Sequence, residues 1–508
     1  MNEFITVFQN RQEMLWETIL EHLQISMISL IIATLIAVPL GLLLTRYPRA
    51  AEPVIGISAI LQTIPSLAVL AFLIPFFGIG TTPAIIALIL YGLLPILRNT
   101  YTGIKEVDPA LKEAATGMGM NSLKRLTKVE LPIAMPVIMA GIRTAMVLIV
   151  GTTTIAALIG AGGLGEIILL GLDRGADINL ILLGAVPAAL LAIILDLVLR
   201  MLEQLSKKAG LKTFIAMLII AVLIVATPFI FNGQMKADLV IGGKMGSEPE
   251  ILMNMYQLLI EEETDLNVKL EPNLGKTDFV FRALQEGSID IFPEFTGTAI
   301  VTHLEQEAGS NDAREVYEQA KQGMKEEYDM DFLEPMEYNN TYAVATTKEL
   351  AERYNLEEIG DLKQIENEIT AGFTLEFKDR KDGYAGMQEV YNLDISDLKT
   401  MEAGIRETAL ANGEVDIIDA YATESYMIEL DLVTLEDPEN LFPPYQGAPL
   451  LREDTLAEYP ELEDILNQLS GKITDEQMRQ MNYQVDYEDR SPNDVAREYL
   501  VSEGILDS

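Results

Sequence analysis

Long apolar runs occupy the first 231 residues of the chain, and shorter alternating runs occupy the rest. A helix that crosses a membrane needs about 20 mostly apolar residues. Six runs meet or approach this requirement, of which the third is short and the fourth long: residues 22–44, 54–77, 83–97, 133–159, 178–199 and 213–231. The pattern therefore predicts an all-α polytopic membrane domain over residues 1–231.

From residue 232 onward, short β-branched runs alternate with helical stretches. Residues 238–244 predict a strand that enters a loop, and residues 248–263 predict a helix. This alternation is typical of an α/β domain with a largely parallel sheet. Roughly 270 residues exceed one ordinary lobe, so we predict a two-lobed α/β domain over 232–508. The chain order places 236–341 and 446–508 in lobe one, and 342–445 in lobe two.

Charge separates the same two regions. Residues 1–231 hold 15 Lys or Arg and 14 Asp or Glu, a net charge of +1. The remaining 21 basic and 62 acidic residues give 232–508 a net charge of −41. Nucleic-acid binding requires a basic surface, so we expect no nucleic-acid partner for the acidic region. The absence of cysteine excludes disulfides, thiolate metal sites and cysteine nucleophiles.

Basic residues collect in alternate connections between the predicted spans. The connections after spans one, three and five are rich in Lys and Arg, whereas the other side carries only Arg11 and Arg174. Because cytoplasmic connections carry such an excess, we expect a multi-pass protein of the cell membrane with its N-terminus and acidic domain outside. A passive anchor would need one span, so six spans in contact with membrane lipid favour transport.

The connection between spans three and four carries a motif. Asp108 and Pro109 are typical of a helix start. Glu113-Ala114-Ala115 is followed by Gly119 and, nine residues later, by Val129-x-Leu131-Pro132. This spacing resembles the coupling-loop signature of ATP-binding-cassette importer permeases. The resemblance implies a coupling loop over about 105–132 that seats on a partner ATPase, with Ala114 and Ala115 on one face of a short helix. The plain alternative is an ordinary amphipathic connecting helix with a glycine break. The anchor residues are Glu113, Ala114, Ala115, Gly119, Leu131 and Pro132.

A glycine-rich segment follows the fourth predicted span. Gly160-x-Gly162-x-x-Gly165 fits the GxGxxG fingerprint of dinucleotide sites, but it follows a membrane span rather than a strand. Residues 159–166 instead resemble the methionine and betaine branch of importer permeases. No GxxxxGKS or GxxxxGKT phosphate loop occurs in the sequence. We therefore expect no enzyme activity, metal site or cofactor in this chain, with ATP and Mg²⁺ used by a separate cytoplasmic ATPase subunit. The resemblance also implies a permease homodimer.

Four aromatic residues lie in loops after predicted strands: Phe295 in PEFTGT, Tyr342 in NNTYAVA, Tyr421 in DAYATE and Tyr445 in FPPYQGAP. For any one of them, a core or sheet-edge ring is the plain alternative. Together the four segments resemble solute-binding proteins for betaines and other quaternary amines, which have a periplasmic-binding-protein-like fold. The resemblance implies that the four rings form a cage around a trimethylammonium group. It assigns the ligand carboxylate to Lys244, Thr298 and Arg380.

The chemistry of such a ligand agrees with these residue types. A quaternary ammonium has no N–H to donate, so ring faces must hold it, at about 0.5–2 kcal/mol per contact. A carboxylate suits the planar fork of Arg380 and the point charge of Lys244. Closure of two lobes over a small zwitterionic ligand would exclude water and strengthen both interactions.

Two departures bear on the identity of the ligand. Phe295 lacks the hydroxyl of a tyrosine, and GGKMGSEPEIL (242–252) differs from the usual segment of osmolyte binders. This segment, together with the fusion of permease and binding domain, resembles the ergothioneine importers. Ergothioneine is a trimethylated histidine with a thione, and Glu248, Asn339 and Asn340 are candidates for further polar contacts with it. Glycine betaine, carnitine and choline remain alternatives, although choline has no carboxylate. A betaine sensor that does not transport is an alternative of another class.

Overall fold

The chain divides into two compact units. The computed structural model describes residues 2–174, 177–209 and 237–506. One unit, the helical unit, consists of Gln12–Leu169 and Leu182–Gln234. The other, the mixed unit, consists of Met1–Arg11, Leu170–Ile181 and Met235–Ser508.

Helices account for nearly all of the described residues before position 210. They are α1 (Asn2–Asn10), α2 (Gln12–Leu44), α3 (Pro48–Thr63), α4 (Ser66–Phe77), α5 (Thr81–Lys105), α6 (Pro109–Gly117), α7 (Ser122–Arg125), α8 (Leu131–Ala156), α9 (Gly165–Asp173) and α10 (Ile178–Ala209), with a π-helical turn at Leu126–Glu130 and a 3-10 turn at Ala157–Ile159.

Four helical stretches in the described part of the chain are long and apolar enough to cross a membrane. They are Met14–Leu44, Thr81–Lys105, Ser122–Ile159 and Ile178–Met201. Each overlaps one of the predicted spans. The sixth predicted span, 213–231, lies outside the described residues.

The second predicted span, 54–77, is not one straight helix. It is divided into α3 and α4, which are bent by 98° relative to each other. The break lies at Ile64, whose backbone is extended (φ −69°, ψ 131°), and Pro65. Proline has no N–H to donate and disfavours the helical conformation of the residue before it. The Tyr91 hydroxyl donates to the carbonyl oxygen of Ile64 that the break leaves free of the helix ladder.

The mixed unit alternates strands with helices. The strands are β1 (Leu239–Gly242), β2 (Val268–Glu271), β3 (Ile291–Phe295), β4 (Met330–Phe332), β5 (Tyr342–Thr347), β6 (Thr370–Thr374), β7 (Asp397–Met401), β8 (Ile417–Tyr421), β9 (Leu432–Leu435) and β10 (Gly447–Arg452). The helices after residue 237 are α11 (Ser247–Glu263), α12 (Thr277–Gln285), α13 (Thr296–Thr298), α14 (Ala313–Tyr328), α15 (Lys348–Tyr354), α16 (Leu375–Asp379), α17 (Tyr384–Val390), α18 (Ala403–Ala411), α19 (Tyr426–Glu429), α20 (Glu453–Glu458), α21 (Glu461–Leu466), α22 (Asp475–Asp486) and α23 (Pro492–Ser502), with a π-helical turn at Ala299–His303 and 3-10 turns at Ile359–Gln364 and Asn467–Leu469.

Two five-stranded sheets form the centre of the mixed unit. Their strand orders are β2-β1-β3-β10-β4 and β7-β6-β8-β5-β9. The prediction of a two-lobed α/β fold is confirmed, but the expectation of largely parallel sheets is only half right. In each sheet two strand pairs are parallel and two are antiparallel. The antiparallel pairs all involve β10 or β5, the strands on which the chain enters each sheet from the other.

Each sheet has its own apolar core. The core of the first sheet includes Ile251 and Tyr256 of α11, both of which are fully buried. The core of the second sheet includes Phe373 and Phe377 together with Tyr342 and Tyr445, which are 4% and 5% exposed. Two of the predicted cage tyrosines are therefore also core residues of the second sheet.

Small residues let the helices of the helical unit approach closely. A Cβ built on Gly141 of α8 would lie 2.6 Å from Cβ of Asn99 and 2.7 Å from the carbonyl oxygen of Pro95, both on α5. A Cβ on Gly151, ten residues further along α8, would meet nothing within 4 Å. Because lipid supplies no hydrophobic force between helices, such contacts carry much of the packing energy in a membrane.

We expect Gly141→Ala to destabilise the helical unit, by about 1–3 kcal/mol, because the added methyl group would force α5 and α8 apart. Gly151→Ala is the matched control on the same helix, and it should leave stability unchanged or slightly raised, since alanine favours a helix over glycine. Thermal unfolding of both variants in one detergent measures the difference. Equal melting temperatures would contradict the packing.

Candidate substrate-binding site

Three of the four predicted cage aromatics form one cluster, Tyr342, Tyr421 and Tyr445, called here the tyrosine cluster. Tyr342 begins β5 and Tyr421 ends β8, and the two lie directly opposite each other in this antiparallel pair. Their ring centroids are 4.9 Å apart, and the Tyr445 ring meets Tyr342 edge-on at 5.9 Å. Burial raises the pKa of all three hydroxyls, so the rings stay neutral. The cluster offers electron-rich faces without a competing negative charge.

Phe295 lies at the edge of this group. It ends β3 and packs against the same core, but its ring pairs edge-on with Tyr338 at 6.5 Å. The Lys244 ammonium lies 5.3 Å from the centroid of the Phe295 ring. The structure therefore brings the three tyrosines together, and it gives Phe295 a protein cation as its partner.

Arg380 lies beside the tyrosine cluster, with its guanidinium carbon 5.4 Å from the centroid of the Tyr342 ring. Its Nε and Nη2 donate to the two carboxylate oxygens of Asp382, at 2.8 and 2.7 Å. Nη2 also donates to the Tyr445 hydroxyl at 2.6 Å, and this hydroxyl donates to Asp382 at 2.5 Å. Burial alone would lower the pKa of Arg380, but the bonds to Asp382 raise it above its ordinary value.

The remaining guanidinium nitrogen of Arg380 has the weakest partner. Nη1 donates to Glu376 at 3.2 Å, and the Glu376 side chain is 60% exposed. The fork that we expected to face the ligand carboxylate is thus bound to Asp382 in this structure. Nη1 is the donor that a ligand could reach by displacing only an exposed side chain.

Lys244 is held by a buried carboxylate on the neighbouring strand. Its ammonium lies 2.5 Å from Oε1 of Glu294, which also accepts from the Phe295 backbone N–H at 2.7 Å. Oε2 of Glu294 lies 2.9 Å from Nε2 of His303. Glu294 is fully buried. Burial alone would raise its pKa, but Lys244 and His303 hold it below the usual value. An ammonium has three N–H donors, and the contact with Glu294 uses one.

The segment after Phe295 packs directly on the tyrosine cluster. A Cβ on Gly297 would lie 2.6 Å from Cε1 of Tyr445, so only glycine lets the ring take this place. Thr296 accepts from the backbone N–H of Gln446 at 3.1 Å. Thr298, the third predicted carboxylate contact, ends the short helix α13, and its side chain is half-buried.

The three candidates for further polar contacts have partners within the protein. Glu248 is 7% exposed and accepts from Asn340 at 3.1 Å and from Thr423 at 2.5 Å. Its burial raises its pKa despite these donors. Asn339 accepts from the backbone N–H of Tyr445 at 2.6 Å. Asn339 and Asn340 thus anchor the segments that carry the cluster.

Sequence reasoning missed the carboxylates that hold the basic residues. Asp382 follows Arg380 by two positions, and Glu294 directly precedes Phe295. An acidic residue this close to a candidate ligand residue is the signal that could have identified both. Arg406 carries no such signal, because it lies 15 positions before Tyr421 in the sequence.

The predicted coupling residues lie on and around the short helix α6. Asp108 caps this helix by accepting from the Ala110 N–H at 2.8 Å. Ala115 is buried, whereas Glu113 and Ala114 are exposed. The prediction that Ala114 and Ala115 lie on one face of the helix is therefore wrong. Consecutive residues of a helix point about 100° apart.

The turn after α6 depends on Gly119. Its φ is +80°, a conformation that side chains with a Cβ rarely adopt, and a Cβ there would meet nothing within 4 Å. Leu131 and Pro132 open α8. Apolar side chains around this turn are open to solvent: Leu111 is 45% exposed, Met118 70% and Leu123 67%. The loop presents an apolar surface that a partner protein could cover.

The glycine-rich segment forms a turn between helices. It follows the 3-10 turn Ala157–Ile159, and Gly160, Gly162 and Gly163 all have positive φ. The Gly163 N–H donates to the Glu21 carboxylate at 3.0 Å. A helix, rather than a strand, precedes the turn, which agrees with a close-packed corner and not with a dinucleotide site.

Comparison with known proteins matches both parts of the chain. Residues 237–502 match the substrate-binding domain of ABC-type glycine betaine transport systems. Residues 37–208 match the inner membrane component of binding-protein-dependent transport systems. Permeases of this type work with a separate ATP-binding subunit. The match to this family, together with the long apolar helices of the chain, identifies it as a membrane protein.

Three relatives cover different parts of the chain. An ergothioneine transport permease/ergothioneine binding protein of Helicobacter pylori is 32% identical over 88% of this chain and 82% of its own length. A glycine betaine/carnitine/choline permease of Bacillus subtilis is 48% identical over 42% of this chain and 97% of its own. A carnitine transport binding protein of Listeria monocytogenes is 32% identical over 53% of this chain and 88% of its own. The chain therefore belongs to the family of ABC importer proteins that fuse a permease to a substrate-binding domain of the glycine betaine type.

Proposed function

We propose that this chain is the permease and substrate-binding subunit of an ATP-driven importer of L-ergothioneine. The observation that carries the proposal is the tyrosine cluster with Arg380 beside it. Uptake of quaternary ammonium compounds is the function of the family. The choice among its ligands rests on the chemistry of this site and on the relatives.

The tyrosine cluster suits a trimethylammonium group. Three neutral ring faces can each contribute about 0.5–2 kcal/mol to binding a cation that cannot donate hydrogen bonds. Rings 4.9 and 5.9 Å apart contact each other. We therefore expect ligand entry to separate the rings, with the methyl groups taking over ring contacts that the tyrosines make among themselves.

The basic residues suit the carboxylate of the same ligand. Arg380 lies beside Tyr342 of the cluster, and Lys244 lies beside Phe295. Nη1 of Arg380 and the remaining donors of Lys244 can bind a carboxylate by charge-assisted hydrogen bonds. Choline has no carboxylate and would leave these donors without a ligand partner.

Two kinds of relative favour different ligands. The relative that covers both the permease and the binding region is named for ergothioneine. Relatives that cover one region each are named for glycine betaine, carnitine or choline. Osmoprotectant uptake is therefore the second candidate function, and direct binding separates the two.

The transport step needs partners that we infer from the coupling loop. The apolar turn around Gly119 would seat on a cytoplasmic ATPase subunit, which would bind ATP and Mg²⁺. Two copies of the permease would form one pore. The binding domain would lie outside the cell, where it meets the substrate, and the chain itself would not be an enzyme.

We expect the full-length protein in lipid nanodiscs to bind ergothioneine more tightly than glycine betaine or carnitine, and choline most weakly. Ergothioneine adds polar ring contacts to the two charged ends, whereas choline loses the carboxylate. Isothermal titration calorimetry at one salt concentration measures all four. Glycine betaine binding as tightly as ergothioneine would overturn the ligand choice and support osmoprotectant uptake.

Tyr421→Ala should lower the affinity for every trimethylammonium ligand about tenfold, because it removes one ring face from the cluster. Tyr459→Ala, which removes a half-buried tyrosine from the core of the first sheet, is the control and should leave affinity unchanged. Unaltered binding by the Tyr421 variant would contradict the cage.

Gly119→Asp should abolish ATP-driven uptake while ligand binding and membrane insertion persist, because it strains the turn and places a charge on the apolar coupling surface. Gly413→Asp is matched in strain and charge: its φ is +69°, and a Cβ there would also meet nothing within 4 Å. Uptake of radiolabelled ligand by cells that express each variant with the ATPase compares them. Normal uptake by the Gly119 variant would show that the loop does not couple.

A further inference from the structure

Arg406 is a charged side chain with no contact with solvent. It lies on α18 (Ala403–Ala411), and its side chain is 1% exposed. Taking a charge out of water costs several kcal/mol unless partners satisfy it. A fully buried guanidinium therefore has to be explained by what it holds together.

Its donors reach carboxylates on both sides of Tyr421. Nη1 donates to the carbonyl oxygen and to Oδ2 of Asp419, at 2.6 and 2.7 Å. Nη2 donates to Oε1 of Glu424 at 2.8 Å. Asp419 lies two positions before Tyr421 and Glu424 three positions after it. Arg406 therefore links the two ends of the segment that carries Tyr421. The guanidinium carbon lies 5.7 Å from the centroid of the Tyr421 ring.

The second oxygen of Glu424 holds the backbone of Tyr421 itself. Oε2 accepts from the Tyr421 N–H at 2.8 Å and from the Tyr426 hydroxyl. Burial raises the pKa of Glu424, although the neighbouring guanidinium opposes that rise. Without Arg406, Oε1 of Glu424 would lose this donor, and the carboxylate would no longer be held at both of its oxygens.

Asp419 extends the same network to the segment that carries Arg380. It accepts from the backbone N–H and from the hydroxyl of Thr374, both at 2.8 Å. The Thr374 hydroxyl in turn caps α16 (Leu375–Asp379) by accepting from the Phe377 N–H at 3.1 Å. Arg380 is the residue that directly follows this five-residue helix.

We propose that Arg406 is a positioning residue that holds Tyr421 and Arg380 at a fixed distance from each other. It thereby sets the distance between the part of the site that binds the cation of the ligand and the part that binds its carboxylate. The proposal rests on the binding site proposed above. It assigns Arg406 no contact with the ligand; it acts through Glu424 on the ring and through Asp419 and Thr374 on the guanidinium of Arg380.

The alternative role for Arg406 is stabilisation of the second sheet and nothing more. Leu410→Ala is the matched control, because Leu410 lies one turn further along the same helix and is 3% exposed in the core next to β8. If Arg406 is purely structural, its replacement should lower the affinity of the protein for the ligand only in proportion to the fall in melting temperature. The Leu410→Ala variant should behave in the same way.

The experiment is a double-mutant cycle on the full-length protein in nanodiscs, with glycine betaine and ergothioneine as probes. Arg406→Met should lower the affinity for both about tenfold, well beyond Leu410→Ala at an equal loss of melting temperature. Combined with Tyr421→Ala, it should cause less additional loss than it does alone, since both act on the same ring. Full additivity with Tyr421→Ala, or an effect no larger than that of Leu410→Ala, would overturn the proposal.

Glu424→Gln keeps the proposal testable if Arg406→Met does not fold. It retains the shape of the side chain but weakens the link between Arg406 and the Tyr421 N–H, and it should lower affinity in a folded protein. Unchanged affinity would then overturn the proposal. If Tyr421→Ala itself leaves binding intact, the proposed cage fails, and that result is distinct from a failure of Arg406 alone.

Discussion

A charge that is removed from water needs a partner, and this constraint shapes the whole candidate site. Arg380 is paired with Asp382, Lys244 with Glu294, and Arg406 with Asp419 and Glu424. Glu294 and Asp419 are fully buried, Asp382 and Glu424 are partly exposed, and each carboxylate also accepts a second donor from the backbone or a neighbouring side chain. The tyrosine cluster therefore lies among fixed, oriented ion pairs rather than among free charges.

This pairing gives the ligand site its character. Because each cation already has a carboxylate, the site holds no unbalanced positive charge that would repel a quaternary ammonium. In the site that we propose, the ring faces of Tyr342, Tyr421 and Tyr445 would hold the cation, and the remaining donors of Arg380 and Lys244 would bind the carboxylate. A zwitterion of the right length would satisfy both.

The sequence predicted which helices and strands form better than it predicted how they pack against each other. Apolar runs located the four described helices that are long and apolar enough to cross a membrane, because the membrane imposes a length on each helix. Proline chemistry alone does not locate the bend at Ile64 and Pro65, because Pro39, Pro95 and Pro136 lie inside continuous helices. The antiparallel strands could not be predicted either, because they depend on how the chain crosses between two sheets. Likewise, helix α6 was predicted, but the separation of Ala114 from Ala115 is set by the direction in which the helix packs.

At the site, motifs located individual residues, whereas the fold supplied their partners. Tyr342 and Tyr421 were expected in loops after strands, but Tyr342 begins β5 and Tyr421 ends β8, and their direct opposition follows from the register of these two strands. Lys244 and Glu294 are 50 positions apart, and Tyr445 and Asp382 are 63 apart. Long-range ion pairs and hydrogen bonds of this kind leave no periodic signal in a single sequence.

The most direct test of the account compares ligands that differ only in methylation. Ergothioneine and thiohistidine, its counterpart without the three N-methyl groups, share the carboxylate and the thione ring. Calorimetry on the full-length protein should give at least about tenfold tighter binding of ergothioneine, and Tyr421→Ala should remove most of that preference. Equal affinity for the two ligands in the unmodified protein would contradict the account, because the tyrosine cluster would then make no distinction between a trimethylammonium group and an ammonium.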